Sequence, residues 1–346
     1  MECSMKKLFA VMAAVVAVAS PLFAQSLTGT LGTPIATVKL VKTEIIYEKA
    51  FRADVLKVET LRKSTLSADE RKAFLEGVIN DLLFYQMCER DGIKTSDAEV
   101  NAYISRVKSQ LGTNVTDAQF EAYLAGQGIP IADLRSYYRK QILVQKWLQA
   151  TKSAEIAAIP PVTSDDVLRT YDLYKSKLIR PDTARIAFIY YPFKDKTDAE
   201  RTKAAEGIRG LSERLSKGEN FDALRLKAAD GSYGASRDYS YFERTEVFAS
   251  QFGKTIFDTV FGLKDGTVSA PVENDAGWWI VRRAEYFPQK QLELSDPYRL
   301  GQQGSVQDYI AQLLAQEKQN AFMNKTFSEL FADLRSKATV KILGTP

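Results

Sequence analysis

The chain has no histidine among its 346 residues, and this restricts the chemistry that it could perform. Ser-His-Asp and Cys-His mechanisms are excluded, because both require an imidazole as the general base. Zinc sites usually combine histidine with paired cysteines, and the only cysteines are Cys3 and Cys88. The neighbouring acids Asp165 and Asp166 follow Thr163, and we interpret them as the charges of a helix start. With no P-loop and no dinucleotide-binding glycine motif, the sequence predicts neither a metal site nor a cofactor.

Aromatic side chains are concentrated between residues 184 and 288, where they could supply ring stacking and apolar contact. They are Phe188, Tyr190, Tyr239, Tyr241, Phe242, Phe248, Phe252, Trp278 and Trp279. These rings are too numerous to line one pocket, so most of them are expected in a core. Because alternate residues of a strand point to opposite faces, one face can be buried while the other stays available to a ligand.

The elements that must position these rings follow a specific order. A strand-like run, Ala184–Tyr191, is followed by a charged helical segment that ends near Gly218. The turn Leu263–Gly266 and a last strand, Gly277–Arg282, complete the region. This order resembles a parvulin-type (PpiC) prolyl isomerase domain, and the turn and the closing Gly-Trp-x-Ile-Val strand are its most specific features. The resemblance implies a β/α fold for residues 183–288.

The same resemblance implies a catalytic site that has lost its polar groups. Parvulins carry one histidine on the first strand and one on the last, and here Ile186 and Trp279 occupy those positions. Ala276 replaces the Ser or Thr that precedes the final strand in the family. Since isomerisation must lower a barrier of roughly 18–20 kcal/mol, we predict a degenerate and inactive site, retained for folding or for peptide binding. Residual isomerase activity that uses Asp230 and the aromatic cavity around Phe252 and Trp279 is the alternative.

The other family positions indicate an apolar groove that could bind peptide. Phe252 occupies the position of the aromatic residue that stacks on proline, and Phe248 replaces a Met or Leu of the proline pocket. Asp230 lies at or beside the position of a Cys or Asp. We expect such a groove to hold aromatic side chains of an unfolded polypeptide. The candidate peptide-binding residues are Phe248, Phe252, Trp279 and Tyr239.

Three helix starts in succession predict a helical domain in the N-terminal half. Ser67–Glu70, Ser96–Glu99 and Thr116–Gln119 each place a Ser or Thr three residues before a Glu or Gln, which is the pattern of a capping box. The helix after the first of these carries its apolar residues on one broad stripe. Cys88 lies on that helix, where we expect it to pack as a small hydrophobe. A longer helix is predicted from about Ile131.

Four segments of this helical region carry a second resemblance. They are Asp81–Met87, Gly92–Ser96, Gly128–Leu134 and Tyr138–Ile142. Together they look like the N-terminal domain of the SurA family, which are periplasmic chaperones for outer-membrane proteins. The related PrsA and PpiD families share much of this domain. The match extends over roughly residues 35–180.

The C-terminal segment predicts a long helix and a short strand. Residues 305–336 carry apolar side chains at helical spacing, and a stripe this apolar must pack against another element. Ala338–Leu343 fits a strand. In SurA-type chaperones a C-terminal helix folds back on the N-terminal domain, so the resemblance implies that residues 289–346 pack on residues 25–180. The expected fold class is α+β and multidomain, with a mainly helical body formed by N- and C-terminal segments and an inserted parvulin-like β/α domain.

The N-terminus has the pattern of a signal peptide. Two lysines precede the apolar run Leu8–Ala19, and Ala24 is a suitable residue for cleavage. The apolar run is too short for an ordinary membrane span of about 20 residues. We predict that residues 1–24 are a cleaved signal peptide and that the protein is periplasmic. An uncleaved N-terminal anchor is the alternative.

The charge pattern narrows the possible partners. The net charge is +4, positive and negative residues alternate, and no basic block is present. No nucleic-acid partner is therefore predicted. The mild positive charge is compatible with a location beside an anionic membrane, without spanning it after cleavage.

The two resemblances together imply an ATP-independent periplasmic chaperone. Its expected partners are unfolded or partly folded client polypeptides, namely outer-membrane or secreted proteins, held weakly at many points. Two alternatives stay open: an active parvulin-type peptidyl-prolyl isomerase that assists folding, and a non-catalytic periplasmic scaffold. Catalysis on a proline peptide would favour the first alternative, and absence of client binding would favour the second.

Overall fold

The computed structural model describes residues 32–112, 114–194, 197–228 and 233–344. Its helices are α1 Glu48–Arg62, α2 Ala68–Arg90, α3 Asp97–Leu111, α4 Asp117–Gly126, α5 Ile131–Thr151, α6 Ser153–Ala157, α7 Ser164–Tyr174, α8 Asp198–Ser216, α9 Phe221–Lys227, α10 Glu246–Phe252, α11 Lys254–Gly262 and α12 Val306–Lys337. Its strands are β1 Pro34–Lys39, β2 Thr43–Tyr47, β3 Ile179–Arg180, β4 Thr183–Pro192, β5 Gly234–Ala235, β6 Ser240–Glu243, β7 Val272–Asn274, β8 Gly277–Phe287, β9 Lys290–Gln291 and β10 Thr339–Ile342.

The chain divides into two compact units. The first contains the described residues up to Pro160 together with those from Lys318 onward, and the second extends from Pro161 to Glu317. The boundary therefore falls within α12. The predicted signal peptide, residues 1–24, lies outside the described residues. Within the described ranges, no helix combines the length and the apolar character that a membrane span requires.

The predicted helix starts are confirmed, because local side chains satisfy the first backbone N–H groups of each helix. Ser67, Ser96 and Thr116 each accept a hydrogen bond from the backbone three residues on, and the Glu or Gln there accepts one in return. Thr163 forms a fourth box of the same kind with Asp166 at the start of α7. These caps fix where the helices begin, since they replace bonds that the helix itself cannot supply.

The first unit is mainly helical and has its core beside a three-stranded antiparallel sheet in the order β10-β1-β2. The strand from the C-terminal end pairs with the first strand, so that Val340 lies opposite Val38. Leu334 of α12 is buried in the same cluster as Leu83 and Trp147. The guanidinium of Arg335 also bonds the side chains of Glu76 and Asn80 on α2. N- and C-terminal segments thus form one helical body, which confirms the predicted fold class.

Two polar features lie within this helical body. Lys140 of α5 donates to the buried carboxylate of Asp81 on α2 over 2.6 Å. Burial raises the pKa of Asp81 to about 6, although the charge of Lys140 opposes the shift. Cys88 is buried as predicted, and burial raises the pKa of its thiol to about 12. A thiol with such a pKa stays protonated at neutral pH and is unreactive.

The second unit is built on a five-stranded antiparallel sheet in the order β5-β4-β8-β7, with β6 paired to β4. Helices α8 and α9 cover one face, where Ile189 packs with Ile208 and Leu224. Helices α10 and α11 cover the other face, where Ile186 packs with Ile256. Two covered faces on one antiparallel sheet confirm the predicted β/α domain.

The two ends of this sheet domain lie side by side. Strands β3 and β9 pair so that Arg180 lies opposite Lys290. The backbone N–H of Gln289 donates to the carboxylate of Asp182 over 2.9 Å. A domain that is inserted between two segments of a chain needs its own two ends to lie close together, as they do here. Within the same unit, Val167 of α7 packs in one cluster with residues of the N-terminal part of α12.

Candidate functional site

Trp279 lies at the centre of a group of aromatic rings on the α10–α11 side of the sheet. Its side chain is 8% exposed, and it lies opposite Tyr190 in the strand register. The rings of Tyr190 and Trp279 are stacked, with centroids 4.9 Å apart and an interplanar angle of 19°. Phe188 meets the indole edge-on, also at 4.9 Å. Alternation along β4 places Phe188 and Tyr190 on the same face as Ile186, which is 3% exposed.

Helix α10 completes this group with two half-buried phenylalanines. Phe248 and Phe252 are nearly parallel, with centroids 6.1 Å apart and an interplanar angle of 8°. Both contact the buried ring of Phe242, at 4.9 and 5.1 Å. Phe252 also meets Trp279 edge-on at 6.5 Å. We call the set Phe188, Tyr190, Phe242, Phe248, Phe252 and Trp279 the aromatic face.

Asn274 connects the parts of the aromatic face, and sequence reasoning missed it. Its amide oxygen accepts hydrogen bonds from the indole N–H of Trp279 at 2.8 Å and from the backbone N–H groups of Ala276 and Gly277. Its amide nitrogen donates to the carbonyl of Phe252 at 2.9 Å. The sequence Asn-Asp-Ala-Gly does favour a turn in which Asn bonds its own backbone two residues on. Nothing in that local pattern indicates the bonds to Phe252 and Trp279.

The described positions that resemble the parvulin catalytic site lie in two different places. Ile186 and Trp279, at the two histidine positions, are both buried in one apolar cluster. Ala276 is exposed in the turn between β7 and β8, and its carbonyl accepts a hydrogen bond from the N–H of Phe193. Asp230 lies outside the described residues.

Tyr239 lies apart from the other three candidate peptide-binding residues. It packs against the cluster beneath α8 and α9, on the opposite face of the sheet. Its hydroxyl donates to the carboxylate of Asp222 at 3.1 Å, and the guanidinium groups of Arg185 and Arg225 approach its ring. Burial raises the pKa of its phenol. The structure therefore brings together Phe248, Phe252 and Trp279, but not Tyr239.

The composition of the aromatic face limits what it can do chemically. The six residues that define it contain no carboxyl, amine, thiol or imidazole group. They offer apolar surface, ring stacking and the Tyr190 hydroxyl. Such a face can bind apolar or aromatic side chains.

Comparison with known proteins finds a matching family for each of two parts of the chain. Residues 4–148 match the family described as the SurA-like N-terminal domain, and residues 162–296 match the PPIC-type PPIASE domain. The foldase protein PrsA of Clostridium acetobutylicum is 23% identical over 265 residues, which is 75% of this chain and 71% of that protein. The chaperone SurA of Chromohalobacter salexigens is 25% identical over 276 residues, which is 77% of this chain and 60% of that protein. Among solved structures, a SurA-like chaperone of Campylobacter jejuni covers 90% of this chain and is itself covered fully, with 16% identity and a TM-score of 0.41.

The matched families define a chain in which a SurA-like N-terminal domain is combined with a PPIC-type (parvulin) domain. These matches support a SurA/PrsA-type arrangement of the two domains. The match spans 60% of the length of the SurA of Chromohalobacter salexigens.

Proposed function

We propose that this protein is an ATP-independent periplasmic chaperone that binds unfolded or partly folded polypeptides, and that its parvulin domain is catalytically inactive. The observation that carries the proposal is the filling of the two histidine positions by Ile186 and Trp279, both of them part of a buried apolar cluster. The polar catalytic site of the family is replaced by apolar surface. Outer-membrane proteins are the proposed clients, by analogy with the SurA resemblance.

The half-buried rings of α10 are the proposed contact points for clients. Phe248 and Phe252 retain exposed surface, whereas Trp279 is nearly enclosed and contacts Phe252. An aromatic pair contributes about 0.5–1.5 kcal/mol beyond its area, so each single contact is weak. Several weak contacts on one unfolded chain give useful affinity through avidity. Weak, multiple contacts also let the client leave and fold.

The proposal places the protein in the periplasm, beside the membrane but not within it. The signal-peptide pattern of residues 1–24 and the resemblance to SurA support this location. N-terminal sequencing of the exported protein tests it, with Gln25 expected as the first residue. An intact N-terminus on exported protein would show the anchor instead.

The chaperone proposal is tested by light scattering of a refolding outer-membrane barrel protein. One sample contains the mature chain, and another contains a variant in which residues 183–288 are excised. Because Asp182 and Gln289 are hydrogen-bonded neighbours, a short Gly-Ser linker can join the cut ends without strain. Suppression of aggregation by the mature chain supports the proposal, and suppression by both would assign the activity to the helical body. If neither sample suppresses aggregation, the chaperone proposal fails and the scaffold alternative gains support.

The role of the aromatic face is tested with a double substitution, Phe248→Ala with Phe252→Ala. The matched control is Gln251→Ala, which changes an exposed polar residue of the same helix. We expect the double variant to bind an aromatic-rich unfolded peptide at least about tenfold more weakly, since two aromatic contacts are lost. Equal binding by the double variant and the control would remove the aromatic face from the proposal.

An active prolyl isomerase is the second candidate, because residues 162–296 match a family described by that activity. It is tested with a protease-coupled assay on a proline tetrapeptide. We expect the rate with the mature chain to equal the uncatalysed rate. A rate that rises in proportion to the concentration of the mature chain, and is absent with the excised variant, would establish the isomerase.

A further inference from the structure

Three arginines surround the ring of Tyr239, on the sheet face opposite the aromatic face. The guanidinium carbon of Arg185 lies 5.2 Å from the ring centroid, and that of Arg225 lies 5.5 Å from it. Arg282 donates to the carboxylate of Asp222 at 2.6 Å, and the same carboxylate oxygen accepts from the hydroxyl of Tyr239. These contacts place three positive charges around one phenol ring.

Strand pairing explains why the arginines meet there. Arg282 of β8 lies opposite Ala187, which is two residues from Arg185 along β4. Residues two apart on a strand share a face, so Arg185 and Arg282 are diagonal neighbours on one side of the sheet. A bulge between Arg185 and Ile186 shifts the register at this point. Arg225 reaches the same place from α9.

The carboxylates around this cluster do not balance its arginines. Asp222 is shared between Arg225 and Arg282. Glu285 lies opposite Arg185 in the register but is exposed, and in the described part of the chain no ion pair joins the two. Counting the exposed Glu285 together with Asp222, three guanidinium groups are thus accompanied by two carboxylates. One positive charge is left uncompensated.

Hydrogen-bond donors are left over as well. The Nε of Arg282 is buried and has no hydrogen-bond partner among the described residues. Arg185 contacts the Tyr239 ring, and within the described ranges no carboxylate or carbonyl accepts from its guanidinium. Arg225, by contrast, is bonded to Asp222 and to the carbonyl of Ser236. Buried donors in proteins are normally paired, so the unpaired Nε of Arg282 indicates a missing acceptor, and the donors of the half-buried Arg185 lie close enough to share it.

We propose that Arg185, Arg282 and Tyr239, here called the arginine site, bind one carboxylate of a peptide. A single uncompensated positive charge matches a monoanion, whereas Asp222 and Glu285 would repel the second charge of a phosphate dianion. The planar fork of a guanidinium also matches the two oxygens of a carboxylate. This site lies on the other side of the sheet from the aromatic face. It goes beyond the proposed chaperone function and does not depend on it.

The arginine site is tested by fluorescence polarisation with a dye-labelled peptide that carries one central Glu. The comparison peptides carry Gln or phosphoserine in its place, and the protein is the full mature chain at low ionic strength. We expect the Glu peptide to bind about tenfold more tightly than the Gln peptide, because it gains charge-assisted hydrogen bonds. Added salt is expected to reduce that difference. Tighter binding of the phosphoserine peptide than of the Glu peptide would overturn the assignment to a monoanion.

Two substitutions separate the site from general charge effects. Arg185→Gln is expected to abolish the preference for Glu over Gln. Arg209→Gln removes the same charge from an exposed position on α8 and is expected to leave the preference unchanged. Hydrogen exchange in β4 and β8 confirms that each variant is folded. The proposal is refuted if both variants lose affinity equally, or if the unsubstituted protein binds the Glu and Gln peptides alike.

Discussion

Substitution of Asn274 by alanine tests whether one side chain holds the aromatic face together. The change removes four hydrogen bonds, which involve Trp279, Phe252 and the backbone N–H groups of Ala276 and Gly277. Ala276 is exposed, so its N–H can bond water, but Trp279 and Gly277 are buried. Two buried donors left unsatisfied cost about 1–3 kcal/mol each, and we therefore expect a loss of about 2–6 kcal/mol in the unfolding free energy of the second unit.

Native-state hydrogen exchange measures this loss locally. Because about 1.4 kcal/mol corresponds to a factor of ten, protection of amides in β4 and β8 is expected to fall by roughly 30- to 20,000-fold. The first unit is an internal reference, since none of its described residues bonds Asn274. Asn274→Asp keeps the oxygen acceptors and loses the donor to Phe252, so we expect an intermediate effect.

The control is Gln251→Ala, an exposed neighbour on α10 that is expected to change protection by no more than about twofold. A fall of less than about fivefold for Asn274→Ala would refute the reasoning. It would show that water replaces the bonds and that ring packing alone holds the face.

Two further predictions concern the two units separately. Burial raises the pKa of Asp81 from 3.8 to about 6, so the folded state takes up a proton more readily than the unfolded state, and its stability rises as pH falls through 6. Urea titrations of the parent and of Asp81→Asn give the difference between their unfolding free energies. We expect this difference to increase by about 1.4 kcal/mol in favour of the parent when the pH is lowered from 7.5 to 5. A difference that does not change with pH would contradict the raised pKa of Asp81. Gly277→Ala would place a methyl group 2.2 Å from the carbonyl oxygen of Tyr191, and we expect it to abolish protection in β4 and β8. Gly262→Ala is the matched control, because no atom lies within 4 Å of the added methyl group. Native-like exchange in both variants would show that β4 and β8 can move apart enough to accommodate the methyl group at position 277.

The helix starts and the apolar character of the site were predictable from the sequence. Ser67, Ser96 and Thr116 cap their helices through bonds to residues three positions on, so the information lies within one turn. The loss of both histidine positions was visible at Ile186 and Trp279, once the order of elements indicated the parvulin domain. The sequence could not predict the bonds of Asn274 to Phe252, because that contact joins a turn to a helix end 22 residues away.

Tyr239 shows the limit of reasoning from family positions. It was grouped with Phe248, Phe252 and Trp279 as a peptide-binding candidate, and it lies instead on the other face of the sheet, beside Arg185. That placement depends on tertiary contacts of Tyr239 with Asp222 and Arg185, which no local pattern specified. Its role as a ligand contact is now part of the arginine-site proposal.

The sequence by itself determined that histidine-dependent mechanisms are excluded, where four of the helices begin and that strands lie in segments 184–191, 277–282 and 338–343. These properties depend on composition or on residues within a few positions of one another. Only the tertiary structure decided which rings share a face and which charges lack partners. Tyr190 and Trp279 stack, and Arg185 and Arg282 meet, because distant strands pair in one register, interrupted by a bulge beside Arg185. A shift of one residue in that register would turn every side chain of a strand to the opposite face, and local sequence does not encode the register.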